Sequence, residues 1–82
     1  MYSYKPNGVC SKKIDFEVVD GKITDIVFTG GCAGNLLGIS TLAKGMEVSE
    51  VIKKLKGIHC GNKSTSCPDQ LAIALQELVI KA

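Results

Sequence analysis

The 82 residues are 45% hydrophobic and 22% charged, with nine glycines, two prolines, a net charge of +2 and a pI near 8.4, which suits one globular domain over residues 1–82 with no linker, repeat or low-complexity stretch. All ten basic residues are lysines and only four aromatics are present, so neither arginine forks nor a stacking platform is available and nucleic-acid binding is not expected. No run approaches the roughly 18 apolar residues that span a bilayer, and residues 1–8 lack the apolar core of a secretory signal, so a cytoplasmic, reducing setting is expected, in which structural disulfides are disfavoured.

In chain order, the first dozen residues offer a third strand carrying Cys10. Ile14, Phe16 and Val18 then alternate with Lys13, Asp15 and Glu17, the period of a half-buried strand. A second strand, Lys22 to Thr29, follows the turn signal Asp20-Gly21. A two-residue loop would set Phe16 against Asp25. A three-residue loop, Val19-Asp20-Gly21, pairs Phe16 with Thr24 and Ile14 with Ile26, and is the expected register, with Gly21 at positive φ.

A glycine-rich turn, Gly30-Gly31-Cys32-Ala33-Gly34, opens a helix carrying Leu36, Leu37, Ile39, Leu42 and Ala43 as its apolar set, and Gly45 stops it. A shorter helix runs from about Val48 to Lys56 with Val48, Val51, Ile52 and Leu55 inward and Gly57 at its end. A third begins near Pro68, capped by Ser66 or Cys67, with Asp69 complementing the dipole and Leu71, Ala74, Leu75 and Leu78 as its stripe. Strands first and helices after describe an α+β fold: a small antiparallel sheet, a hairpin plus a third strand, covered on one face by two long helices and one short helix. Val79 and Ile80 lie outside the last stripe, and a homodimer through them is compatible with so small a chain.

Four cysteines, Cys10, Cys32, Cys60 and Cys67, fall at the edges of different elements, separated by 21, 27 and 6 residues with no C-x-x-C knuckle. Helix N-termini favour thiolate, which helps Cys32 and Cys67. Glycines at 30, 31, 34 and 61 let backbone amides approach sulfur. A chain of this size commonly depends on a metal, a disulfide or oligomerisation for stability. The readings left open by the spacing are a metal tetrad, a redox or sulfur-transfer thiol site, and buried packing cysteines.

Thr65-Ser66-Cys67-Pro68-Asp69 spells TSCPD. With Cys10, the Gly30-Gly31-Cys32 turn and His59-Cys60-Gly61, the chain resembles the TSCPD domain family, found at the C-terminus of adenosylcobalamin-dependent ribonucleotide reductases and as small stand-alone proteins. The resemblance implies a metal-binding module with Cys10, Cys32, Cys60 and Cys67 as ligands. Four thiolates would take zinc or, as the alternative, an iron-sulfur cluster, and such a module would present a surface to a ribonucleotide reductase or other redox partner. The reductase barrel has no counterpart in these residues, so no catalysis of its own is expected. A fainter similarity runs to iron-sulfur scaffold proteins of the IscU/NifU type, through Asp20-Gly21, Gly31-Cys32, Lys44-Gly45 and Ile58-His59-Cys60 before a late helix. The scaffold's cysteine and aspartate pair is here Cys32 with Asn35, and Cys10 and Cys67 would be additional ligands.

His59, the single histidine, is either a ligand, a hydrogen-bond donor to sulfur, or exposed. Lys12, Lys13 and Lys63 would offset the charge of a zinc tetrathiolate where they face it. Ser64, Thr65 and Ser66 either donate to thiolate or cap the helix, and Asp69 is read as a helix cap. One histidine and scattered acids give no basis for hydrolytic catalysis. Two functions of different class follow: a non-catalytic metal-binding module, or a thiol relay or sulfur carrier using Cys32 or Cys67.

Overall fold

The computed structural model describes residues 2–9, 11–31, 33–59, 61–62 and 64–80. Cys10, Cys32, Cys60 and Lys63 therefore lie outside the described residues. The architecture is α+β, a three-stranded antiparallel sheet of order β1-β2-β3 followed by three helices. The strands are β1 (Tyr2–Tyr4), β2 (Ser11–Val19) and β3 (Lys22–Gly30), and the helices are α1 (Ala33–Ala43), α2 (Val48–Leu55) and α3 (Cys67–Leu75). The expected third strand is present but ends at Tyr4, so it does not extend to the position of Cys10.

The hairpin departs from the expected register. Asp20 has φ +53° and Gly21 φ +77°, and two successive positive φ values make the tight turn whose hand matches strand twist. The loop therefore has two residues, with Val19 opposite Lys22 and Val18 opposite Ile23. The clash of faces that argued against this loop is removed by a β-bulge. Thr24 is left over between the Val18–Ile23 and Glu17–Asp25 pairs, so Phe16 meets Ile26 and Ile14 meets Phe28. The Thr24 hydroxyl donates to the Glu17 carbonyl across the bulge at 3.3 Å.

Cross-strand rows then share one face: Tyr2–Phe16–Ile26 and Tyr4–Ile14–Phe28. The Tyr2 and Phe16 rings stack at 5.3 Å, a pair that adds to area burial. Ile14, Phe16, Ile23 and Ile26 from the sheet meet Ala43, Val48, Val51, Leu71, Ala74 and Leu75 from the helices in one core. Each large side chain buried there contributes about 1.5–3 kcal/mol by removal from water.

The helices follow their sequence signals at the ends. Gly45 (φ +86°) and Gly57 (φ +90°) take the left-handed conformation just past α1 and α2, where a side chain would be strained. The segment after α1 also runs along the outer edge of β3: the Ile23 amide donates to the Met46 carbonyl and the Gly45 amide to the Ile23 carbonyl. The expected inward set of α1 is only partly inward. Leu36 and Ala43 are buried, but Leu37 and Leu42 are 69% and 78% exposed. A buried polar Ser40, donating to the Leu36 carbonyl at 2.9 Å, occupies the inner face instead. Past α3, residues Gln76–Ile80 widen into a π-helical turn, which rotates the stripe so that Leu78 and Val79 both pack against the core. Val79 is thereby not the open apolar position it is in the linear pattern, while Ile80 stays exposed. Among the described residues no helix is long and apolar enough to cross a membrane.

Candidate metal centre

The TSCPD pentapeptide forms the entry to α3, and each of its residues has a distinct local task. Ser66 is the N-cap: its hydroxyl oxygen accepts from the Asp69 amide at 3.1 Å and its proton goes to the Ile58 carbonyl at 2.6 Å. Pro68 sits in the first turn, where its lack of an N–H leaves no donor missing. Asp69 is not the cap expected of it. Its carboxylate, 6% exposed, accepts the Gly57 amide at 2.7 Å and the Thr65 hydroxyl at 2.5 Å. Thr65 in turn accepts from the Gln70 side-chain amide at 3.0 Å, and the Gln70 carbonyl oxygen takes the Asn7 amide at 3.1 Å.

Burial pushes the Asp69 carboxyl up, but the hydrogen bonds from Thr65 and Gly57 and the positive fields of His59 and Lys56 outweigh it and hold it below the ordinary carboxylate range. This hub is fully satisfied: no described buried side-chain nitrogen or oxygen lacks a partner. Buried polar groups demand such satisfaction, since each left unpaired costs about 1–3 kcal/mol.

Cys67, the first residue of α3, is half-buried and is the one free cysteine among the described residues. Its sulfur lies 3.2 Å from the hydroxyl of Ser11. Ser11 reaches it through a second bulge in β2. Lys12 is the extra residue between the Ser11–Gly30 and Lys13–Thr29 pairs, so Ser11 is buried at 3% exposure while Lys12 and Lys13 both face water. Strict alternation would have turned Ser11 outward. Bulges re-aim side chains in this way beside functional sites.

Segments within two residues of each cysteine come together at this corner. Ser11, next to Cys10, touches Cys67; Ser11 pairs with Gly30, and Gly31, next to Cys32, lies against the Ser11 backbone so closely that a Cβ there would come within 3.3 Å of its nitrogen. Ile58, two residues before Cys60, is bonded to Ser66. Cys10, Cys32 and Cys60 themselves are outside the described residues. Among the described residues no three His, Cys, Asp or Glu side chains converge.

His59 is exposed and enters the hub only through its field on Asp69. Lys13 forms an exposed ion pair with Asp15 at 3.7 Å, and Lys12 is solvated on its bulge. Sequence reasoning missed Ser11 and Gln70 and misassigned Asp69. Of Ser64, Thr65 and Ser66, the expected thiolate donors or caps, the cap is Ser66. No linear signal marks Ser11, because its position depends on a bulge.

This α+β fold, with a polar hub gathering the flanks of four cysteines, defines a small cysteine-bearing domain. The chain belongs to the TSCPD domain family, whose model matches residues 2–79. No curated protein and no solved structure matches it.

Proposed function

We propose that this chain is a four-cysteine metal-binding module in which Cys10, Cys32, Cys60 and Cys67 hold one Zn²⁺ ion, with an iron-sulfur cluster as the alternative filling. It acts as an accessory to ribonucleotide reductase or to a related redox partner rather than as an enzyme. The carrying observation is the convergence of the four cysteine-flanking segments on the α3 entry: Ser11 on Cys67, Gly31 on Ser11, and Ile58 on Ser66.

The donor chemistry fits. Four thiols with no histidine converging beside Cys67 suit a tetrahedral thiolate site, and a closed set leaves no open position for substrate. Bound metal would supply structural stabilisation, because ligands scattered over the unfolded chain meet only in the folded one. The chain's own contribution is a hydroxyl at Ser11 able to donate to sulfur and a helix start at Cys67, both of which favour thiolate.

The test is metal content by mass spectrometry with an absorption spectrum, on protein purified without oxygen. Roughly one zinc per chain and no visible colour is the expected result. Iron with matching sulfide and brown absorbance moves the filling to a cluster, which the fainter scaffold resemblance would accommodate. No metal, with Cys67 alkylated rapidly in the native protein, overturns the module. It would favour the thiol relay, for which the partial exposure of Cys67 is the supporting feature.

A further inference from the structure

The β3–α1 segment, whose Gly31 end abuts Ser11 of the hub, is uncharged apart from the residues that bound it. Residues 26–43, spanning the second half of β3 and all of α1, contain no Asp, Glu, Lys, Arg or His. Asp25 and Lys44, at the two ends of this stretch, neutralise each other at 3.5 Å. Between β3 and α1 lies an open cleft of about 540 Å³ lined by Val27, Phe28, Leu36 and Leu37, with the paired Asp25 and Lys44 also in its lining. Leu37, 69% exposed, lines it from α1, and Val27 is 48% exposed on the strand side, while Leu42, 78% exposed, faces a separate cleft between α1 and α2.

Two further features make this face unlike a solvated surface. The outer edge of β3 is used only at its start, where Ile23 bonds Gly45 and Met46; past Ile23 the edge has no backbone partner among the described residues. The Ile26 amide, which turns to the Asp25 carboxylate, marks the outward-facing set, and alternation adds Phe28 to it. An open edge of this kind is a template for another strand.

Second, α1 contains Gly34 and Gly38, neither at positive φ, and a Cβ at either would meet nothing within 4 Å. Glycine inside a helix costs about 1 kcal/mol relative to alanine. Gly38, among the described residues, serves no contact within the chain.

We propose that this face is the interface of a homodimer in which two β3 strands pair antiparallel about a two-fold axis and two α1 helices pack across it. The pairing is self-complementary. With Phe28 opposite its own copy, the two Phe28 amides and carbonyls exchange hydrogen bonds at the two-fold axis. A face whose charges, Asp25 and Lys44, are paired with each other lets two copies that each carry +2 meet without local repulsion. The helices then lie on the same side of a continuous six-stranded sheet, with Gly38 permitting close approach and Leu37 removed from water. This differs from a dimer through Ile80, which is a single exposed side chain on the π-helical turn.

The test is sedimentation equilibrium on the protein as purified, with hydrogen exchange as a second readout. The expected result is a dimer, with the Phe28 amide exchanging more slowly as concentration rises. Leu37→Lys and Gly38→Leu should each weaken dimerisation at least about tenfold while leaving the circular dichroism spectrum of the monomer unchanged. A chain that remains monomeric at about 100 µM overturns the proposal. So does a dimer that survives both substitutions, or one whose concentration-dependent protection maps to Ile80. None of these readouts depends on metal content, so the interface and the thiolate site stand or fall separately.

Discussion

The α3 entry and the β3–α1 face are built on opposite plans. At the α3 entry, Ser11, Ser66, Asp69 and Gln70 are all buried and polar, and their hydrogen bonds reach three distant segments of the chain. On the β3–α1 face Val27 and Leu37 are apolar and exposed, and past Ile23 the strand edge has no backbone partner among the described residues. The first region is complete within one chain; the second has capacity left over. Polar groups buried without partners are penalised within the monomer, so they must be satisfied there, whereas an exposed leucine is tolerated until a partner covers it. The difference therefore separates a place that holds the molecule together from a place that is available to something else.

The largest effect is expected where the hub is cut. Asp69→Asn weakens the acceptor that holds the Gly57 amide and the Thr65 hydroxyl, and hydrogen bonds to a charged group contribute about 1.5–3 kcal/mol each. Urea denaturation should show a loss of about 3 kcal/mol, with Tm lower by more than about 10 °C. A loss below about 0.5 kcal/mol would show the hub to be ornamental. The sign of the pH dependence follows from the native carboxyl lying below its ordinary value. Its contribution is complete above the ordinary carboxylate pKa and is lost as pH falls through the lower native one. The stability gap between wild type and Asp69→Asn, measured on metal-free protein, should therefore persist at neutral pH and close in strongly acidic solution.

A smaller loss is expected at the cap. Ser66→Ala removes the acceptor for the Asp69 amide and the donor to Ile58, which typically costs about 1 kcal/mol, up to about 2. Amide exchange in the 57–62 loop should quicken with it, while exchange in β2 and β3 should not.

The smallest effect should have the opposite sign. Gly38→Ala places a methyl where nothing lies within 4 Å and removes a helix glycine, so the monomer should gain up to about 1 kcal/mol in denaturant titration at low concentration. A loss instead would mean that Gly38 is needed inside the chain, and the contrast between the two regions would fail there.

Much of the local structure was legible. Ile14, Phe16 and Val18 announced β2 by their period, Asp20-Gly21 announced the turn, Gly45 and Gly57 ended helices, and Ser66-Cys67-Pro68 opened α3. The family signature was legible too, as the TSCPD run itself. The chosen hairpin register was wrong because a bulge at Thr24 cannot be seen in a two-strand alignment drawn without one. Leu37 and Leu42 counted as core because spacing cannot say which side of a helix will meet the sheet.

What the sequence alone determined was each element and its ends, since periodicity, turn residues and caps are relations among residues a few positions apart. Only the tertiary structure decided that Ser11 turns inward to Cys67, that Asp69 ties α2 to the α3 entry, and that α1 keeps two leucines in water. Those outcomes depend on how segments far apart in the chain satisfy one another's buried groups, and no local pattern carries that information.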